Sequence, residues 1–269
     1  MAATLAMPER IRSGAPLRDL EQGQINGELE TYLLELALQS KFPSRAELPD
    51  SFQSGSLEYY ANWLRYLTLR DKKKRERGAV VSYDANRYSL LFPARPRVGE
   101  LTIELKYPKA QCHIPLLKVH SHPDSSCFSD ADLMSFFNQL KTPVHVGPEK
   151  AMQIATTRYS YLTIMTEEAK NMISTPDDNS FSRYNGWTCD IGHLEVDRHF
   201  KSDPRTGWLL RDSISNEFLQ VIYTTFIHTL YLSTEYQLGL YYSSGDGKYW
   251  RAGKSEIQEI LTEEIEERL

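Results

Sequence analysis

Short runs of strand-forming residues, spaced too closely to hold helices between them, constrain this chain more than any other feature. GAVVSYD, RYSLLF, ELTIELKYP and PLLKVH follow one another before residue 121, each bounded by Gly, Pro, Asn or Asp. β-Branched and aromatic residues favour a pleated surface, and those boundary residues favour turns. A parallel pair needs a crossover of a dozen or more residues, so these gaps predict antiparallel hairpins. Strand-like text returns at VHV (144–146), MQIATT and YSYLTIM. A helix is predicted from about Asp130 to Leu140, because Leu133, Phe136, Phe137 and Leu140 fall at i, i+3, i+4 and i+7. The expected class is mixed α/β (α+β), a largely antiparallel sheet flanked by helices.

Helical additions are expected at both ends. The first 25 or so residues lack periodicity and read as a loose leader. Asn26 then offers an N-cap to GELETYLLELALQS, where Leu29, Leu33, Leu34 and Leu36 make an apolar stripe. A second helix near Ser56–Arg70 carries Leu57, Tyr60, Leu64 and Leu67 on one side, and DKKKRER (71–77) follows as a solvated charge cluster. Beyond about Met165 the text is loop-rich until a long helix near Ser213–Leu232. YQLGLYY-SSGDG-KYW suggests a hairpin, and SEIQEILTEEIEERL a capped terminal helix. This divides the chain into a helical N-terminal extension (1–70), a core (71–170) and a C-terminal extension (171–269).

Lys+Arg 31 against Asp+Glu 36 gives a net charge of −5, which disfavours a nucleic-acid partner or a membrane surface, since both attract a basic excess. Three cysteines, none in a Cys-x-x-Cys spacing, speak for a reducing compartment and against a disulfide framework. With no signal-peptide pattern before Glu9 and Arg10 and no apolar span of bilayer length, the expectation is a soluble, cytoplasmic chain.

One segment stands apart, VHSHPDSSCFSDADL (119–133). If Leu116–His120 is a strand, His120 and His122 leave the same face, because i and i+2 share a face. Two neutral imidazoles so placed can hold one Zn²⁺ at roughly 2.0–2.1 Å per nitrogen. Pro123 ends the strand, being unable to donate to a ladder. Asp132 then falls in the first turn of the next helix and can supply an oxygen ligand. Three protein ligands leave a fourth position for water, whose pKa such a metal lowers to about 7. Ser129-x-x-Asp132 also reads as a capping box, worth about 1 kcal/mol. The two roles are compatible, since a cap holds the carboxylate where a ligand is needed.

HSHPDSSCFSDAD resembles the signature of the JAMM (MPN+, JAB1/MPN/Mov34) zinc metalloproteases: His-x-His-Pro, a loop, then Ser-x-x-Asp. The resemblance covers about residues 74–166 and implies a JAB1/MPN-like (cytidine-deaminase-like) core. It implies His120, His122 and Asp132 as zinc ligands and Ser129 as the donor to the tetrahedral intermediate. It implies an upstream glutamate as general base, best matched by Glu76, with Glu100 and Glu104 as rivals. Five residues, Asp124 to Phe128, separate Pro123 from Ser129, one fewer than the commonest family spacing. The implied activity is hydrolysis of a peptide or isopeptide bond in a protein substrate, including one carrying a ubiquitin-like modifier, with about one zinc per chain. A silent MPN-type scaffold and a DNA-repair-associated branch with a similar His-x-His-Pro core are the competing implications.

Elsewhere the residues read as structural. Cys127 inside the loop is a small semi-buried side chain, with zinc ligation as its alternative. Cys112-His113 is discounted as a nucleophile pair, because neighbours on a strand point to opposite faces. Tyr59, Tyr60, Trp63 and Tyr66 fall at helical spacing and serve packing rather than base stacking. The Phe218–Leu232 stripe fits packing on the core and a homodimer face equally.

Overall fold

Nine strands pair into one mixed sheet in the computed structural model, which describes residues 25–99, 105, 112–123, 128, 130–140, 149–157, 159–174 and 237–253. In chain order these are β1 (Ser51–Gln53), β2 (Glu76–Asp84), β3 (Ser89–Leu91), β4 (Arg97–Gly99), β5 (His113–Ser121), β6 (Ala151–Ala155), β7 (Ser160–Ile164), β8 (Gly239–Ser243) and β9 (Lys248–Arg251). The helices are α1 (Glu28–Leu38), α2 (Ser56–Arg70), α3 (Asp130–Asn138) and α4 (Glu167–Ser174). The strands lie in the order β1-β9-β8-β7-β6-β5-β2-β3, with β4 also on β2. Every pair is antiparallel except β5–β6. That parallel pair is the one with α3 between its strands, as the crossover rule requires. Strands from the expected N-terminal, core and C-terminal segments all join this sheet.

β5 and β2 lie side by side next to the β3/β4 edge, and both are buried along most of their length. Their ladder runs Gly78↔His120, Ala79↔Val119, Val80↔Lys118 and Val81↔Leu117, then slips by one residue at a bulge and resumes as Ser82↔Pro115, Tyr83↔Ile114 and Asp84↔His113. Pro115, which has no N–H to donate, sits where the register changes. On β2's other edge Pro93 and Pro96 interrupt the neighbour, so β3 and β4 pair separately with the two ends of β2. The Tyr60 hydroxyl donates to the Pro93 carbonyl at 2.8 Å and anchors that break to α2.

α1 and α2 cover one face of the sheet. Leu29, Leu33 and Leu36 of α1 and Leu57, Tyr60 and Leu64 of α2 are buried over Val81, Leu117, Val119, Leu162 and Ile164, each such side chain contributing about 1.5–3 kcal/mol. Leu34 and Leu67 are only partly buried. Tyr60 and Trp63 pack ring to ring at 5.4 Å. Asn26 does not cap its own helix: Gly27 is the N-cap of α1. Asn26 Oδ1 instead accepts from the backbone N–H of Ser56 at 3.2 Å. Glu30 Oε1 accepts from the N–H groups of Gly55 and Leu57, both at 2.9 Å, and from Ser54 Oγ at 3.1 Å. A residue of α1 thus satisfies the orphan donors of α2 and sets a negative charge at its positive end. The close approach needs Gly27, since a Cβ there would meet Gly55 N at 2.8 Å.

The charge cluster after α2 divides. Asp71 closes the helix and pairs with Arg75 and Arg77, while Glu76 and Arg77 already belong to β2. Residues 167–174, expected as loop, form α4. Thr166 Oγ1 accepts from the Ala169 N–H at 3.1 Å, and Glu167 and Glu168 occupy the first turn, both helix-starting devices. The β8–β9 hairpin falls where expected, with Gly245 (φ 94°) and Gly247 (φ 86°) in its turn. The expected strands at 100–108 (all but residue 105) and 144–146, the long helix at 213–232 and the terminal helix at 255–269 lie outside the described residues. Among the described residues no helix is long and apolar enough to cross a membrane.

Candidate metal centre

The end of β5 brings two histidines to one point. His120 is the penultimate strand residue, and His122 follows with its N–H donating to the Ala155 carbonyl at 3.0 Å, so the extended backbone continues one residue past the strand. Their side chains share a face, as alternation requires, and both are buried. The Nε2 atoms stand 3.0 Å apart, with the rings tilted by 60°. Behind them Ser121 faces the opposite way, its Oγ 2.5 Å from Thr68 Oγ1 of α2 and 3.1 Å from the Arg77 N–H.

Asp132, in the first turn of α3, completes the group. Its Oδ1 lies 3.0 Å from His120 Nε2 and its Oδ2 3.6 Å from His122 Nε2. Burial pushes the Asp132 carboxyl up, but the charge and hydrogen bonds of His120 and then His122 outweigh it and hold the group well below the usual carboxylate range. The side chain is only 16% exposed, so an ionised carboxylate faces two imidazoles in a largely dry recess.

These distances suit a cation. Ligands at roughly 2.0–2.1 Å around a tetrahedral ion stand roughly 3.3–3.4 Å from one another, and the observed separations of 3.0, 3.0 and 3.6 Å bracket that edge. Two imidazole nitrogens and a carboxylate oxygen are also the donors that borderline divalent metals prefer. The group His120, His122 and Asp132 is one of two sets among the described residues that could hold a metal ion.

Glu76 stands beside it. The ladder that pairs Gly78 with His120 carries Glu76 opposite His122 when extended by two residues, and cross-strand partners share a face. Glu76 Oε1 is 4.0 Å from His122 Nε2, with the side chain 19% exposed. Gly78, between them in sequence, presents no side chain opposite His120. Ser129, Cys127, Glu100 and Glu104 lie outside the described residues.

The second set is Asp84, Cys112 and His113, at the far end of the same strand pair. Sequence reasoning missed it, and the reason given for discounting Cys112-His113 does not hold. Cys112 occupies a turn ahead of β5, not a strand position, so strand alternation does not separate the two side chains.

Comparison of the chain with protein-family models, with curated proteins and with solved structures finds no match.

Proposed function

We propose that the protein is a zinc-dependent hydrolase of the JAMM type, cleaving a peptide or isopeptide bond in a protein substrate, with a conjugated ubiquitin-like modifier as the substrate class to try first. The observation that carries this is the convergence of His120 Nε2, His122 Nε2 and the Asp132 carboxylate, all within 4.8 Å, with Glu76 on the adjacent strand 4.0 Å from His122.

His120, His122 and Asp132 would hold the metal. Bound there, zinc would supply Lewis acidity, drawing the pKa of a water molecule towards about 7 and polarising a carbonyl. The protein's share is placement and proton movement. Asp132, fixed by the opening of α3, balances one of the two positive charges. Glu76, with its Oε1 4.0 Å from His122 Nε2, has the length to accept a proton from water and return it to the departing amine. Paired backbone carries Glu76 on β2, His120 on β5 and His122 one residue beyond it, so these groups are held before substrate arrives. By resemblance, Ser129 would donate to the developing oxyanion.

The test pairs elemental analysis with cleavage of a panel of modifier fusions, with and without a chelator. Wild-type protein should hold zinc and cleave at least one fusion in a chelator-sensitive way. His120→Ala/His122→Ala should lose one metal equivalent and all turnover, whereas Glu76→Gln should keep the metal and lose turnover. Metal content unchanged in the double histidine variant overturns the ligand set. A metal-loaded protein inert towards the whole panel overturns the hydrolase in favour of a scaffold.

A further inference from the structure

We propose that Asp84, Cys112 and His113 form a second metal site, separate from the first, that takes a zinc-type divalent cation and staples the β2–β3 turn to the start of β5. It does not rest on the hydrolase reading. One ligand atom from each residue lies within 4.8 Å of the others. Gly78 opposite His120 and Asp84 opposite His113 are six strand positions apart on β2, so the two sites are separated by roughly 20 Å at about 3.4 Å per residue.

Three details favour a ligand over a purely structural cluster. The first is how Asp84 is held. Its Oδ1 accepts from the backbone N–H of Asn86 at 2.9 Å and of Arg87 at 3.4 Å. Those bonds account for the turn and leave Oδ2 aimed at His113, the outer-shell arrangement that orients a metal-binding carboxylate. The second is the gap. Oδ2 stands 3.6 Å from His113 Nε2, too long for a hydrogen bond and slightly wider than the roughly 3.3–3.4 Å nitrogen–oxygen edge of tetrahedral zinc. The third is the convergence of distant chain. The β5 bulge shifts the register so that His113, not Ile114, faces Asp84. The Cys112 carbonyl accepts from the Ala85 N–H at 2.9 Å and draws the thiol to the same end.

The donor chemistry differs from that of the first site. A thiolate and a carboxylate together cancel a divalent charge, whereas two imidazoles and one carboxylate leave a surplus positive charge. The neutral set suits a structural or regulatory ion more than one that activates water. Arg87 Nε lies 3.7 Å from Asp84 Oδ2, but its side chain is 63% exposed and free to turn outward when a cation enters. His113, 26% exposed, leaves the site open to solvent.

The experiment titrates the full-length chain with Co²⁺ and Zn²⁺. Wild-type protein should take up about two equivalents, and His120→Ala/His122→Ala about one. In that double variant Co²⁺ should still give the intense near-ultraviolet band of a thiolate ligand. The band should survive Cys127→Ser and Cys189→Ser and vanish in Cys112→Ser. Circular dichroism establishes that each variant folds. Alkylation of wild-type Cys112, followed by peptide mass, gives a measure without substitution, and saturating Zn²⁺ should slow it at least ten-fold. A titration without a thiolate band, a band that follows Cys127 or Cys189, or metal-independent alkylation of Cys112 each overturns the second site.

Discussion

Lys118 Nζ donates to Ser135 Oγ at 3.2 Å and so ties β5 to α3 one helical turn beyond Asp132. The lysine sits two positions before His120, on the same face, and lies 4.0 Å from the buried Glu149. Two of the three candidate ligands are on β5 or one residue past its end and the third is on α3, so this contact links the two elements that carry them. Lys118→Met keeps the apolar stem and removes the ammonium. It should weaken zinc binding at His120, His122 and Asp132 by about ten-fold, as loss of supporting contacts does. Competition against a chromophoric chelator measures this, and unchanged affinity would show that α3 is positioned without the contact.

Asp132→Asn tests the charge rather than the shape of the third ligand. Wild-type protein should gain thermal stability as zinc is added, by about 2.7 kcal/mol per site at a hundred-fold excess over that site's dissociation constant. The asparagine variant should lose the part of that gain that belongs to this centre. Differential scanning calorimetry across a zinc series separates the two, and identical series would remove Asp132 from the ligand set.

Glu58 predicts a pH dependence on the opposite face of the sheet. It is buried in α2, where Ser160 Oγ donates to its Oε1 at 3.1 Å, Tyr249 hydroxyl donates to its Oε2, and Gln153 Nε2 lies 3.4 Å from the same oxygen. Burial pushes its carboxyl up to about 7 from an ordinary 4.5, against the opposing pull of Arg65. A group protonated more readily in the folded state stabilises fully below its unfolded pKa, and this contribution is lost as pH rises through about 7. The difference amounts to about 3 kcal/mol at most. Glu58→Gln should flatten the decline between pH 5 and pH 8 in urea denaturation, and parallel curves for variant and wild type would refute the assignment.

Glu30→Ala should destabilise the fold by about 2–3 kcal/mol, because it strips three donors at the α2 N-terminus of their shared acceptor. Glu30→Gln retains an acceptor oxygen and should cost about 1 kcal/mol, mostly the lost charge at the helix end. Equal losses in the two variants would mean that charge, not hydrogen bonding, sets the effect.

Most of the sheet was legible because strand-forming runs and turn residues alternate plainly, and α2 coincides with its apolar spacing at Ser56–Arg70. The two histidines and Asp132 were legible for a similar reason: period two on a strand and a helix opening nearby fix direction as well as identity. Other features were hidden by contacts that span the chain. Glu58, Ala61, Arg65 and Thr68 form a second buried stripe on α2, invisible to an apolar pattern because two of its members are charged and find partners on β6, β7 and β9. α4 did carry a signal, Thr166-Glu167-Glu168, overshadowed by the Pro, Asp and Asn that follow it. Pro115 was a local sign of the bulge that moves His113 opposite Asp84, but the size and direction of a register slip belong to a strand pair and not to either strand alone.

The direct pairing of β1 with β9, Ser51 against Trp250, has a consequence for how the molecule is made. During synthesis β1 emerges long before its partner, because Ser51 precedes Trp250 by 199 positions. Closing so large a loop is slow, and until β8 is made β7 keeps a bare edge able to recruit strands from other molecules. Chains terminated before Gly239 should therefore accumulate as aggregates.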